Sequence, residues 1–199
     1  PEQNVIVFTS LNPGSGKSHL AANMAMSLAI KKKKVLLIDG DLRHGSTSML
    51  IGSPGEGLSD YLNGRIADIH DILHKGEESG LVKYFDVIPI GTIPPNPTEL
   101  LFTPLLEQMI KTMRQEYDYI FIDCPPIEVV ADTPIYEQFA DRTIFVVRAG
   151  LMERNMLPEI DALYKEKKFK NMTMILNGTK ARGGRYGSHY GYGYGYGYG

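Results

Sequence analysis

The chain contains a single cysteine, Cys124, and no tryptophan among its 199 residues. One thiol cannot build an internal disulfide framework, a Cys-x-x-Cys metal site or an iron–sulfur carrier, and it is typical of a reducing compartment. No apolar run approaches the ~18 residues that a bilayer-spanning helix needs. The chain begins at Pro1 without a signal peptide and runs directly into a strand pattern, so we expect a piece of a longer protein.

An excess of charge of either sign is also missing, because 21 basic and 23 acidic side chains leave a net charge of −2. This balance argues against a protein whose whole surface binds nucleic acid and leaves a local basic patch as an alternative. Hydrophobic residues make up 43% of the chain, which is enough to bury a core. The lysine run 31–34 has two interpretations, a membrane or nucleic-acid patch and a solvated helix end. The solvated helix end is the favoured interpretation.

The composition changes sharply after residue 181. Six of the twelve tyrosines and eight of the 21 glycines lie after Arg182, mostly as alternating Gly-Tyr. Such a segment has no apolar periodicity, and its glycines make ordering entropically costly. We therefore predict one domain over residues 1–181 and a disordered, flexible segment over residues 182–199, which we call the tyrosine tail.

The first 181 residues predict alternating strands and helices. The strand candidates are Val5–Phe8, Val35–Ile38, Phe85–Ile90, Tyr119–Ile122, Thr143–Val147 and Met172–Leu176. The helix candidates are Ser18–Ile30, Pro104–Glu116 and Met156–Lys168, the first with Leu20, Met24 and Leu28 on one face. This alternation predicts an α/β fold in three layers, with a mostly parallel sheet flanked by helices. Ligands of such folds bind at the carboxyl edge of the sheet.

A glycine-rich loop, residues 12–18 with the sequence Asn-Pro-Gly-Ser-Gly-Lys-Ser, follows the first predicted strand and precedes a helix. Backbone N–H groups of such a loop bind the β-phosphate of a nucleotide, while Lys17 reaches the β- and γ-phosphate oxygens and the Ser18 hydroxyl ligates Mg²⁺. The strict pattern fails at its first glycine, which this chain lacks. The candidate nucleotide-binding residues are Pro13, Gly14, Ser15, Gly16, Lys17, Ser18 and His19.

Three carboxylates follow predicted strands. Asp39 and Asp41 are two residues apart after Leu36–Ile38, and Asp123 follows Tyr119–Ile122. Carboxylates at this edge suit a shared cation and a proton acceptor. Each acid alone could be an ordinary turn or helix-cap residue. Spacing alone does not decide which of Asp39 and Asp41 contacts metal and which contacts substrate.

These motifs together resemble the cytoplasmic kinase domain of bacterial tyrosine kinases, the BY-kinases that control capsule and exopolysaccharide export. The resemblance rests on Pro13–Ser18 as Walker A, Leu36–Arg43 as the Asp-x-Asp-x-Arg element, Phe121–Pro126 as Walker B, and Gly91–Leu101 with its Pro-Pro-Asn-Pro segment. It covers nearly the whole chain. Partition and septum-site ATPases are relatives in the wider group, but their loop carries a signature lysine where this chain has Asn12.

The resemblance implies an ATP-dependent protein-tyrosine kinase. It implies Asp39, Lys17 and Asp41 as catalytic residues, Ser18, Asp41 and Asp123 as holders of Mg²⁺, and Arg148 and Asn177 as further nucleotide contacts. Asp39 would take or orient the tyrosine proton, and Asn177 would read the adenine edge. For Arg43 and Arg148, an ordinary ion pair is an equally good interpretation.

The resemblance also implies autophosphorylation of the tyrosine tail, in trans. The implied acceptors are Tyr186, Tyr190, Tyr192, Tyr194, Tyr196 and Tyr198. The implied partners are further copies in a ring, a membrane adaptor or linked membrane domain and a cognate tyrosine phosphatase, but no nucleic acid. The implied location is the cytoplasmic side of the inner membrane, with this fragment itself soluble.

Two other functions stay open from the residues. One is an ATP-hydrolysing dimerisation switch of the partition type. The other is a nucleic-acid-binding module, in which the tail tyrosines stack on bases and nearby arginines contact phosphates.

Overall fold

The computed structural model describes residues 3–127 and 132–179. Six strands alternate with helices along the chain. The strands are β1 (Val5–Ser10), β2 (Val35–Asp39), β3 (Phe85–Ile88), β4 (Tyr119–Asp123), β5 (Arg142–Arg148) and β6 (Thr173–Asn177). The α-helices are α1 (Lys17–Ile30), α2 (Leu58–Leu62), α3 (Pro97–Leu100), α4 (Pro104–Glu116), α5 (Thr133–Glu137) and α6 (Leu157–Lys165). Short 3₁₀ turns cover Ser48–Ile51, Ile69–Ile72 and Arg154–Met156.

The six strands form one parallel sheet in the order β3-β2-β4-β1-β5-β6. β1 pairs with β4 and β5, so the loop after β1 leaves from the middle of the carboxyl edge. Asp39 and Asp123 are register partners at the ends of β2 and β4. The predicted α/β sheet flanked by helices is therefore confirmed, and the topology gathers the motifs at one edge.

The sheet separates two apolar clusters. One contains α4 together with inward-facing residues of β1, β2 and β4, and the other contains α1. As predicted, Leu20, Met24 and Leu28 lie on the face of α1 that packs against the core, where they are partly buried. The neighbouring alanines are the buried residues of the helix: Ala21, Ala22, Ala25 and Ala29. Alanine has no bulk beyond Cβ, so α1 approaches the sheet closely and holds its first turn near the strand ends.

Two predicted boundaries were too long. The third strand ends at Ile88 rather than Ile90, because Pro89 has no N–H to donate and the Ile90 N–H bonds to Ser48 Oγ instead of a strand. The last helix ends at Lys165, and Lys167 has a φ of +53°, which no α-helix can include. Within the described residues, we find no helix that combines the length and the apolar character needed to cross a membrane.

Candidate active site

The loop between β1 and α1 is built on two glycines with left-handed backbone. Gly14 has a φ of +75° and Gly16 a φ of +87°, conformations that a residue with a Cβ rarely adopts. A Cβ on Gly16 would also lie 2.4 Å from the Asn177 side-chain nitrogen. Because α1 begins at Lys17, directly after Gly16, its first N–H groups point out of the helix toward this loop. The loop is thus shaped for a phosphate group at the positive end of α1.

Side chains from the loop itself fix its path. The hydroxyls of Ser10 and Ser15 both donate to the Asn12 carbonyl, at 2.9 and 2.8 Å. Counted back from Lys17, the first glycine of the strict motif falls at Leu11 and not at Ser10. Ser10 is the last residue of β1, and its bond to Asn12 tethers the start of the loop to the strand. His19 is exposed on the first turn of α1.

Two neighbouring strands support the loop from the other side. Arg148, which ends β5, donates from Nη1 to the Gly14 carbonyl at 2.8 Å, and Asn177, which ends β6, donates from Nδ2 to the Ser15 carbonyl at 3.0 Å. These residues are register partners. Both predicted nucleotide contacts therefore lie at the loop. The Asn177 amide oxygen accepts the Gly178 N–H at 2.9 Å, so in this structure both ends of the amide bind protein groups.

Asp123 is buried beside the loop lysine. Lys17 Nζ lies 3.7 Å from Asp123 Oδ1, and the Thr47 hydroxyl donates to Oδ2 at 2.7 Å. Burial raises the pKa of Asp123 above its ordinary value, against the opposing effects of the Lys17 charge and of hydrogen bonds from Ser18 and Thr47. The carboxyl group thus lies beside two hydroxyls and one ammonium group, and a bound cation would favour its charged form.

Asp39 has no solvent exposure, and its hydrogen bonds go to one of its two carboxyl oxygens. Its Oδ2 accepts from both the backbone N–H and the hydroxyl of Ser48, each at 2.7 Å, whereas Oδ1 has no hydrogen-bond partner among the described residues. Burial raises the pKa of Asp39 to about 7, with the Ser48 bonds lowering it and the charges of Asp123 and Asp41 raising it further. A carboxyl group with this pKa can gain or lose a proton near neutral pH, as a general base must.

Asp41 lies closer to solvent than the other two acids. Its carboxylate accepts the Arg43 N–H at 3.2 Å and contacts His44 Nδ1 at 3.0 Å. An open cavity of about 300 Å³ lies next to it. The residues that line this cavity are Pro13, Gly14, Lys17, Asp41, Arg43, His44, Ser46, Pro125 and Pro126. Lysine, carboxylate and glycine backbone therefore meet at one opening, whereas Asp39 and Asp123 are buried and do not line it.

Arg43 lines the cavity, and its guanidinium belongs to a partly buried hydrogen-bond network. Its guanidinium pairs with Asp132 and donates to the Thr98 hydroxyl at 2.8 Å, and Thr98 donates in turn to Asp132 at 2.6 Å. The expected pairing of Arg43 with an acid is confirmed. Through it the Asp-x-Asp-x-Arg segment is fixed to α3 and to the residue before α5.

The donor set fits a Mg²⁺ ion that also binds phosphates. No cluster of three or more His, Cys, Asp or Glu side chains capable of holding a metal exists in the part of the chain that the structure describes. In phosphate-loop proteins the protein supplies only a hydroxyl and a carboxylate or two, and phosphates and water complete the shell. Asp123 Oδ1, buried with no hydrogen-bond partner among the described residues, and the neighbouring Ser18 hydroxyl are such donors.

Sequence reasoning missed the groups that hold the acids in place. Thr47 and Ser48 lie in a hydroxyl-rich stretch after the Asp-x-Asp element, and their partners Asp123 and Asp39 are 76 and nine residues away. Nothing in the sequence spacing of these residues indicates that they bind the two acids. The six acceptor tyrosines predicted in the tyrosine tail lie outside the described residues, as do Lys180, Arg182 and Arg185.

Comparison with known proteins agrees with this geometry. The model of a family described as "AAA domain" matches residues 3–168. The chain is similar to the tyrosine-protein kinase CpsD of Streptococcus agalactiae, with 34% identity over 94% of this chain and 81% of that protein. It is also 35% identical to the putative tyrosine-protein kinase AmsA of Erwinia amylovora, over 92% of this chain. The chain spans only 23% of AmsA.

Among solved structures, the kinase domain of the Escherichia coli tyrosine kinase ETK superposes with a TM-score of 0.81 at 32% identity. The superposition covers 97% of this chain and 73% of that one. The likeness therefore extends over the sheet and the whole candidate site.

Proposed function

Because the chain belongs to the AAA-domain family and, within it, to the bacterial protein-tyrosine kinases, we propose that it transfers the γ-phosphoryl group of ATP to the tyrosines of its own tail, in trans. The observation that carries the proposal is the meeting of Lys17, Asp41 and the glycine backbone at one cavity, with the buried Asp39 and Asp123 at the adjoining strand ends. The geometry combines a phosphate loop with a carboxyl group that titrates near neutral pH.

The proposed reaction is a direct displacement. The phenol oxygen of the acceptor forms a bond to the γ-phosphorus, the bond from that phosphorus to the β,γ-bridging oxygen breaks, and ADP leaves. Asp39 Oδ1 takes or orients the phenol proton, while Lys17 binds the β- and γ-phosphate oxygens. Ser18, Asp41 and Asp123 would hold Mg²⁺, which supplies positive charge to the phosphates.

The wider proposal concerns the cell. Phosphorylation adds about −1.5 to −2 charge per tyrosine, so a modified tail repels its neighbours and would drive apart a ring of subunits that regulates exopolysaccharide or capsule export. The ring, a membrane adaptor or linked membrane domain, a cognate phosphatase and a location at the cytoplasmic face of the inner membrane belong to this proposal. Since the chain spans 23% of AmsA, that relative has ample length for such segments.

The test is incubation with MgATP followed by mass spectrometry of residues 182–199. We expect phosphotyrosine in the tail, and none in Lys17→Met, because this variant lacks the ammonium group at the phosphates. Lys33→Met, which changes an exposed lysine after α1, is the matched control and should retain activity. Free phosphate from ATP without phosphotyrosine would overturn the proposal and favour the ATPase switch.

A mixing experiment tests transfer in trans. Lys17→Met serves as an acceptor that cannot react, and a chain with its six tail tyrosines changed to phenylalanine serves as an enzyme without acceptors. Phosphotyrosine on the Lys17→Met chain is expected. Labelling that occurs only when Lys17 and the tail tyrosines share one chain would show transfer in cis instead.

A further inference from the structure

The last strand of the sheet has a free edge. β6 pairs with β5 on one side and is the outermost strand, so the N–H and C=O groups of its other edge have no partner strand among the described residues. Such edges add a further extended segment readily, and native proteins usually cover or protect them. Here the exposed pattern of Thr173–Asn177 offers no charged side chain as protection.

An apolar groove lies beside this edge. It has a volume of about 370 Å³ and runs between α6 and β6. The term apolar groove refers below to the surface lined by Leu157, Ile160, Tyr164, Met172 and Met174. Tyr164 and Met174 are 63% and 55% exposed, and Leu176, which shares the Met174 face of β6, is 58% exposed. Several large apolar side chains exposed side by side mark a binding surface.

The tyrosine tail has the pattern that such a surface fits. Tyr190, Tyr192, Tyr194, Tyr196 and Tyr198 alternate with glycine. In an extended segment, residues two apart point to the same face, so all five rings would lie on one side and only glycine on the other. Tyrosine buries its ring and keeps its hydroxyl in water, and methionine adapts its shape to aromatic rings.

The short link between β6 and the tyrosine tail favours the tail over other occupants of the apolar groove. β6 ends at Asn177, and twelve residues, 178–189, separate it from Tyr190. At ~3.3 Å per residue this link is long enough to turn and return along the strand. A link of this length gives the tail an effective concentration of about millimolar at its own edge strand, which a free partner does not reach.

We propose that the unmodified tyrosine tail docks in cis along the free edge of β6, antiparallel to it, with its tyrosine rings over the apolar groove. Docking rests on the groove and the tail pattern alone. Its reversal rests on the proposed function, because phosphates on neighbouring rings would repel one another and the acidic lining residue Asp161. The tail then alternates between a stored state and a released, phosphorylated state.

Hydrogen exchange of the β6 amides in the full chain tests docking. The variant has Tyr190, Tyr192, Tyr194, Tyr196 and Tyr198 changed to serine, which leaves the described domain untouched. We expect exchange of the Thr173–Asn177 amides to be about tenfold slower in the parent chain than in this variant. Equal rates would overturn the proposal. So would protection that rises with protein concentration, because it would place a second copy on the groove.

Two further variants locate the contact and its control. Met174→Ser with Leu176→Ser should abolish the protection, whereas Phe102→Ser, which alters an equally exposed side chain elsewhere, should retain it. Changing the five tyrosines to glutamate mimics the charge without requiring kinase activity and should also abolish the protection. Protection that survives the glutamate substitutions would overturn charge-driven release. A chain that shows protection but never yields phosphotyrosine would refute the proposed function and leave docking intact.

Discussion

Two adjacent hydroxyl residues hold the two buried acids of the site. Ser48 binds Asp39 and Thr47 binds Asp123, each through its hydroxyl at 2.7 Å. A carboxylate fixed through one oxygen keeps its other oxygen in a defined direction, which is what proton transfer and cation binding require. Positioning of Asp39 and Asp123 thus comes from residues that are themselves outside the phosphate loop.

Ser48→Ala tests this positioning. The variant removes one of the two bonds to Asp39 Oδ2 and the acceptor for the Ile90 N–H. A hydrogen bond to a charged group contributes about 1.5–3 kcal/mol, so we expect kcat to fall about tenfold or more. KM for ATP should stay unchanged, because Ser48 does not touch the loop. Steady-state kinetics measure both.

The matched control is Ser27→Ala, which removes an exposed hydroxyl that bonds only to the Asn23 carbonyl of α1. This control variant should change neither kcat nor the KM for ATP. If Ser48→Ala retained the parental kcat, Ser48 would have no role in positioning Asp39.

At the scale of elements, the phosphate loop depends on a close contact between the start of α1 and the end of β6. Gly16 has the left-handed backbone that turns the chain into α1, and it leaves no room for a side chain beside Asn177. The loop is therefore shaped by its own glycines and also by a strand that comes 160 residues later in the chain.

Gly16→Ala should combine two penalties. The φ of +87° costs about 1–2 kcal/mol for an L-residue, and the new Cβ would displace the Asn177 side chain that holds the Ser15 carbonyl. Gly52→Ala is the control, with a φ of +78° and nothing within 4 Å of the added Cβ. We expect both variants to lose stability in urea titrations. Only Gly16→Ala should lose nucleotide affinity, and equal affinity losses would contradict this account.

The elements that could be predicted from sequence are those whose apolar pattern is long enough to read. The six strands and the helix Pro104–Glu116 have such patterns. α2 and α3, with five and four residues, are too short to show helical periodicity, so sequence reasoning missed them.

The site was predicted only in part. Asp39, Asp41 and Asp123 were proposed from sequence because apolar strands end at or just before them, and the topology brings the ends of these strands together. Thr47 and Asp132 were not found, because a hydroxyl or acid that pairs with a residue tens of positions away leaves no local pattern. Such partners follow only from the tertiary structure.

At the scale of the whole molecule, one ionic cluster joins distant parts of the chain at the amino edge of the sheet. Asp141 accepts from Arg114 of α4 at 2.7 Å and from the Val5 N–H at 2.9 Å, and Arg114 also donates to the Phe139 carbonyl. Burial favours the neutral form of Asp141, but the Arg114 charge and these hydrogen bonds outweigh it and lower its pKa below 3.8. The cluster thus stabilises the fold only while Asp141 is ionised.

The substitution Asp141→Asn should show how much the charge of Asp141 contributes to the free energy of unfolding at each pH. Because the folded pKa lies below the unfolded value, the stabilisation is present above pH 3.8 and is lost as the pH falls through the folded pKa. We expect the variant to lose about 1–3 kcal/mol of unfolding free energy at pH 7 and progressively less as the pH falls below 3.8. Urea titrations across this range measure the difference.

The control for that series is Asp161→Asn, whose partner Lys165 is exposed and four residues away. An exposed pair of this kind contributes about 0–1 kcal/mol. A stability loss in Asp141→Asn that did not change with pH would assign the effect to packing instead of charge.

The strand order also has a consequence for how the protein is made. Of the six strands, β1 is synthesised first, and within the described residues its neighbours are β4 and β5, whereas β2 and β3 can already pair with each other. During synthesis β1, which is apolar, therefore has no partner strand to pair with until residue 123 has emerged from the ribosome. Nucleotide could therefore not assist folding of this domain before β4 has been synthesised.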